Sequence, residues 1–327
     1  MIRFVVAAAL IVAAALPAHA QEAEAPAAPQ TVPETIPEAA PQAAPQAADD
    51  DPNEVIVVVG QRPEGLSLRE YVHDFVIELT DPPSGDHGYA LWDDDICVGV
   101  ENLEADSAQY IADRVSDVAR QVGLRPEGPG CRPNIAIVFA ADGQTLASRL
   151  VEDQPGLFRP YGGVSGTTQG LAALNRFATS DAAVRWWQIT MVVDDMGRVA
   201  TVLPTSLSGP PTVRGANSLI TNSVHDEMWA SYIIVDASKL EGVTWRQIAD
   251  YLAMVALAQI NPEARPGGYD TILNLFSSSR PAPGMTEWDE IYLQSLYELD
   301  TRRMPRMQPG SLTSVIARNH RSDPDED

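Results

Sequence analysis

His225, Asp226 and Glu227 place an imidazole and two carboxylates side by side, the groups that ligate metals and move protons. Adjacent residues seldom converge on one ion, so the triplet also reads as a solvated turn or a helix cap; it marks a candidate cleft. Asp93, Asp94 and Asp95 stand in a row, without the alternating oxygen spacing and central glycine of a calcium loop. Ser165 lies in Gly162-Gly163-Val164-Ser165-Gly166, out of step with the Gly-x-Ser-x-Gly turn that exposes a nucleophilic serine. The sequence holds no glycine-rich phosphate loop. His73 falls inside an amphipathic pattern and reads as a boundary residue. Trp186 and Trp187 are neighbours on a strand, so their rings point to opposite faces. One can fill the core while the other faces a groove or solvent; core packing accounts for both, and a platform for carbohydrate or peptide is the functional alternative.

The helix expected over 244–260 has the layout of a zinc-binding helix without the residues to hold zinc. A His-Glu-x-x-His helix brings two imidazoles together beside a general-base carboxylate. Laid on this chain, the histidine positions fall on Ala249 and Ala253, and the glutamate position on Asp250. Alanine has no lone pair for a metal, and catalytic zinc needs three protein ligands and a water. A plainer reading has Ala249, Ala253 and Ala256 permitting close packing while Ile248, Leu252, Val255 and Leu257 build a core.

The segments that follow are Thr271-Ile272-Leu273-Asn274-Leu275-Phe276, then Met285-Thr286-Glu287-Trp288-Asp289, then Leu293-Gln294-Ser295-Leu296-Tyr297 and Arg302-Arg303. In this order and spacing the C-terminal third resembles a secreted bacterial family, a domain of unassigned function laid out like a degenerate zincin metallopeptidase. The resemblance implies a zincin-like C-terminal part with no catalytic metal and no cofactor. Residues 53–230 resemble exported proteins of Gram-negative bacteria more loosely, which implies no activity. Glu54 to Arg62, with Val55, Ile56, Val57, Val58 and Val59 at its centre, is similar to the TonB box of outer-membrane transporters. Such a segment can pair onto another protein's sheet edge. The same five residues also read as the first strand of the domain, and no transporter barrel follows them.

These residues need elements to position them. Ser67 to Leu79 and Ser107 to Val122 have helical apolar spacing, and Gly123 stops the second. Asn134 to Ala140 reads as a buried strand, and Asp142 caps a helix running to Glu152. Arg185 to Val193 and Arg198 to Leu203, joined by Asp194-Asp195-Met196-Gly197, read as a hairpin. Pro204 to Glu227 reads as a long polar loop, followed by a strand over 231–237. Thr286 and Asp289 form a capping box for a last helix. Helices and strands mix without strict alternation, so the fold class expected is α+β, a mixed sheet with packed helices.

Residues 1–20 read as a signal peptide: Arg3, an apolar run from Phe4 to Leu16, and Ala18-His19-Ala20 before the cut. Residues 21–52 are an Ala/Pro-rich linker of disordered composition. The globular region runs over 53–319, as an N-terminal part to 230 and the zincin-like part beyond it, with an acidic tail over 320–327. Cys97 and Cys131 are the only cysteines, and in an exported chain they read as a disulfide; a reactive thiol or a metal pair is the alternative. A net charge of −23 repels phosphate backbones and anionic lipid, so nucleic acid is not an expected partner. No run after the signal is long and apolar enough for a transmembrane segment. The sum is a periplasmic or secreted, non-catalytic protein that binds a peptide or envelope partner. Two alternatives stand beside it: a hydrolase with an unrecognised active site, and an envelope structural protein docking through its Val-rich strand.

Overall fold

The apolar periods of the sequence assemble into a four-stranded mixed sheet with helices on both faces. The computed structural model describes residues 62–80, 88–93, 95–158, 170–194, 196–197, 199, 202–203, 212–213 and 224–320. The Val55–Val59 segment, Ser165, and the expected signal and linker lie outside the described residues. The helices are α1 (Leu68–Leu79), α2 (Ala105–Gln121), α3 (Gly143–Asp153), α4 (Pro155–Phe158), α5 (Leu171–Thr179), α6 (Trp245–Leu257), α7 (Glu287–Tyr297) and α8 (Gln308–Asn319). The strands are β1 (Asp95–Ile96), β2 (Val98–Glu101), β3 (Arg125–Pro126), β4 (Ile135–Ala140), β5 (Val184–Asp194), β6 (Val202–Leu203), β7 (Thr212–Val213) and β8 (Val224–Asp236). None of the described helices is long and apolar enough to cross a membrane.

The main sheet has the order β2-β4-β8-β5, with β2, β4 and β8 parallel and β5 antiparallel to β8. This is the α+β class with a mixed sheet. The division at 230/231 falls inside β8, so both parts of the expected globular region contribute to one sheet. Strand β8 also corrects the end of the loop expected over 204–227, from Val224 to Glu227; residues 204–211 and 214–223 lie outside the described residues. The strand's first residues, His225 to Glu227, pair with Val193 to Met191 of β5, and Glu227 bridges to Leu91 on the other side. A polar stretch is strand here because distant backbone completes its hydrogen bonds, which no local pattern encodes. The hairpin expectation holds at the turn, where Gly197 has φ +67° and donates to Asp194 O at 2.9 Å. Among the described residues its return arm meets β5 only through a Val193–Val199 bridge, and Val202 and Leu203 pair with β7 instead; the long partner of β5 is β8.

The two faces carry separate cores. On one, Ile111, Val115 and Val118 of α2 and the apolar side of α6 pack on Ile135, Ile137, Ile233 and Val235. On the other, Ala147 of α3 and Leu174 and Phe177 of α5 pack on Trp187, Ile189 and Ile234. Helices α1, α7 and α8 extend the first layer, with α8 against both α1 and α7. Cys97 and Cys131 form a disulfide with Cα atoms 6.0 Å apart, pinning the chain between β1 and β2 to the approach to β4.

Helix α6 is the centre of the larger core: every residue from Gln247 to Leu257 is buried. A helix leaves its last carbonyls without helical partners, and burying them bare is costly. Side chains from three separate segments fill that need. Gln188 Nε2 donates to Val255 O at 3.0 Å and to Ala258 O at 2.9 Å. Trp92 Nε1 donates to Ala256 O at 2.9 Å, and Tyr297 Oη to Leu257 O at 2.8 Å.

Helix α7 opens on the expected capping box of Thr286 and Asp289. The Asp289 carboxylate is fully buried and also accepts from the Thr271 hydroxyl and the Ile272 N–H. Burial pushes its pKa up to about 6, against the four groups of hydrogen bonds that favour the charged form. The folded-state value lies above the unfolded one. The stability it contributes is therefore fully present below about pH 4 and is lost as pH rises through about 6. Between those limits the wild-type chain should lose roughly 3 kcal/mol relative to Asp289→Asn. Urea unfolding of both proteins at about pH 4 and about pH 7.5 measures this; a difference that stays constant across the two would refute it.

Candidate functional site

Three rings converge where the start of β5 meets α6. Trp186 faces the α6 side of the sheet, because strand alternation sends Trp187 to the opposite core. The Trp186 indole donates to Ile260 O at 3.1 Å, and the Trp187 indole to Phe158 O at 2.9 Å. Tyr251 projects from α6, with its ring centroid 6.4 Å from Trp186 and 5.2 Å from Phe276, both in edge-to-face geometry. Phe276 is 38% exposed, whereas Trp186 and Tyr251 form the sheltered floor. The cavity between them measures about 410 Å³ and is closed on one side by Ile260, Pro262 and Pro266.

The rim is polar. Lys239 bonds both the carboxylate and the carbonyl of Asp181. Arg265 is exposed, and its guanidinium bonds only the Ala264 carbonyl, with no carboxylate partner among the described residues. Burial pushes the Tyr251 hydroxyl pKa up, so the ring stays neutral. An aromatic floor under a polar rim suits an apolar side chain carried on a polar backbone.

The residues singled out by type lie elsewhere. His225 Nε2 sits 3.3 Å from Glu227 Oε1, on the opposite face of β8 from Asp226, whose Oδ2 accepts the Gly88 N–H at 2.9 Å. The triplet is thus a strand segment and not the loop its polarity indicated, and it does not line the aromatic cleft. Asp95 pairs with Arg125 at 3.0 Å; Asp94 lies outside the described residues. His73 is exposed on α1, 3.4 Å from the Thr313 hydroxyl.

Ala249 and Ala253 are fully buried in the α6 core, with methyl groups where a zinc helix needs imidazoles. Asp250 is fully buried too. Its carboxylate takes the Arg114 guanidinium and the Met285 N–H at 2.7 Å, with Arg246 at 3.8 Å. A methyl group on Gly284 would stand 2.6 Å from Asp250 Oδ2, so the carboxylate is enclosed on that side as well. These contacts make Asp250 a structural anion that ties α6 to α2 and to the approach of α7.

Of the cleft, the sequence flagged Trp186 as half of a tryptophan pair. Nothing marked Tyr251, Phe276 or Arg265 as its partners, because they lie 65 or more positions from Trp186 in the chain.

The fold and cleft define an α+β chain with an aromatic recess and a structural disulfide. No family model matches this chain, and neither the curated proteins nor the solved structures hold one similar to it.

Proposed function

We propose that this chain is an exported, non-catalytic binding protein that takes an apolar or aromatic side chain of a peptide segment, carried by an envelope partner, into the cleft of Trp186, Tyr251 and Phe276. The convergence of three rings around a half-open recess is the observation that carries this reading. Buried aromatics are usually enclosed by neighbours; here Phe276 remains open to solvent above the other two. The signal-like N-terminus and the Cys97–Cys131 bond support export. The non-catalytic character is supported by α6: alanines fill the ligand positions of a degenerate zinc-peptidase-like helix, and both oxygens of Asp250 are engaged.

Titration with Ac-Gly-Phe-Gly-NH2 and Ac-Gly-Ser-Gly-NH2, followed by tryptophan fluorescence, tests the proposal. The phenylalanine peptide should perturb the signal and the serine peptide should not. Phe276→Ala, at a partly exposed position that leaves the core intact, should weaken the first interaction at least tenfold, about 1.4 kcal/mol. Equal responses to the two peptides, or an unchanged affinity in Phe276→Ala, would refute it.

A further inference from the structure

The carboxyl ends of the parallel strands carry a second recess, separate from the aromatic cleft. After β2 the chain turns to the α2 face of the sheet; after the adjacent β4 it turns to the α3 face. Neighbouring parallel strands whose connections leave to opposite faces open a crevice at their carboxyl ends, the location where open α/β sheets bind ligands. A cavity of about 510 Å³ occupies that place. Its walls include Asn102 and Leu103 after β2, Phe139 at the end of β4, and Asp142, Leu146 and Arg149 along α3.

The backbone is shaped for this opening. Asn102 is the one non-glycine residue with positive φ among the described residues, at +62°, and it is held there by its Nδ2 donating to Phe139 O at 3.1 Å. Asparagine tolerates this region best among residues with side chains, and such backbone recurs at ligand sites. The α3 N-terminus does not supply an anion site: Gly143 N–H is bonded to Asp236 and Thr145 N–H to Asp142. The Thr145 hydroxyl and N–H hold the Asp142 carboxyl below the usual range, so it is charged at neutral pH. Among the described residues, no carboxylate pairs with Arg149.

The recess therefore presents a carboxylate at one end, a guanidinium at the other and an apolar wall between them. Asp142 and Arg149 are seven positions apart and share a helix face, separated by about 10 Å of rise, which the arginine side chain shortens by leaning toward the helix start. Two charge-assisted bonds of about 2.8 Å each, plus the short spacing between the ammonium and carboxylate of an α-amino acid, fit that gap. We propose that this recess binds a small zwitterion with an apolar side chain, its ammonium at Asp142 and its carboxylate at Arg149, with Leu103, Phe139 and Leu146 against the side chain. A free amino acid and a dipeptide share this chemistry.

Isothermal titration with L-leucine, N-acetyl-leucine, leucinamide and Leu-Leu on the mature chain tests the site. L-leucine or Leu-Leu should bind, and the tighter of the two identifies the natural length. N-acetyl-leucine and leucinamide should each bind at least tenfold more weakly. Arg149→Gln should remove the preference for leucine over leucinamide. Asp142→Asn should remove the preference over N-acetyl-leucine; asparagine also caps helices, so α3 is preserved. Neither variant should alter binding of the phenylalanine peptide at the aromatic cleft, so this proposal can fail while that one stands. Binding of leucine and leucinamide alike, or no heat from any of the four at millimolar concentration, would overturn it.

Discussion

Asp250→Asn is expected to cost about 3 kcal/mol of stability, because removing one partner of a buried ion pair strands the other. The carboxylate is wholly inaccessible, and it satisfies Arg114, the Met285 N–H and, at longer range, Arg246. An asparagine there presents an NH2 group to at least one of those donors. Arg114 is 24% exposed and can partly rehydrate, which keeps the loss at the lower end of the range for buried pairs. For a domain of this size the melting temperature should fall by roughly 6–12 °C. A double-mutant cycle with Arg114→Gln should give a coupling of at least about 1 kcal/mol. If Asp250→Asn melts with the wild type, the carboxylate is not a structural anchor of this helix.

Loss of the Cys97–Cys131 bond should cost about as much again. The cross-link spans 34 residues, and in the chain-entropy model a loop of that length is worth about 4 kcal/mol. The enclosed segment contains β2, α2 and β3, so the bond restrains the crossover that brings β2 beside β4. Cys97 also accepts the Asn134 and Ile135 N–H groups and donates to Asn134 Oδ1 at 2.7 Å. Urea unfolding of Cys97→Ser/Cys131→Ser should show a lower midpoint together with a changed slope, since the freed unfolded chain exposes more surface. Dithiothreitol should lower the wild-type midpoint to that of the variant. An unaltered midpoint after reduction would place the stabilisation elsewhere.

The local signals of the sequence proved faithful. Ser67, Asp142, Thr244 and Thr286 each bond an N–H three residues ahead, so the helix starts were encoded within a single turn. Gly123 closes α2 with φ +89°, the conformation that made it a stop signal. What escaped was long-range. The polar start of β8 is a strand only because β5 and Leu91 lie beside it. Helix α8 escaped for a similar reason: Pro309 and Gly310 look like a turn, yet a helix tolerates proline in its first turn and α1 and α7 supply the packing. The cleft is an extreme instance, its rings coming from a strand, a helix and an irregular segment that share no periodicity. The disulfide was legible because two cysteines permit one pairing; the roles of Arg149 and Arg265 were not, because an exposed arginine looks alike everywhere in a sequence.

The way α6 ends bears on how the molecule opens. Residues 92, 188 and 297 come from the start, middle and end of the described chain, and all three donate to one helical turn. Detaching any one of those segments leaves a carbonyl stranded in an apolar interior, at about 1–3 kcal/mol each. Partial excursions that would free α7 alone, or the edge strand alone, are therefore suppressed. Sequence-distant parts of the chain are thereby expected to open together, so that their amide hydrogens should exchange only at a free energy close to that of global unfolding. The peripheral recesses can thus adapt to a guest while the frame beneath them stays closed.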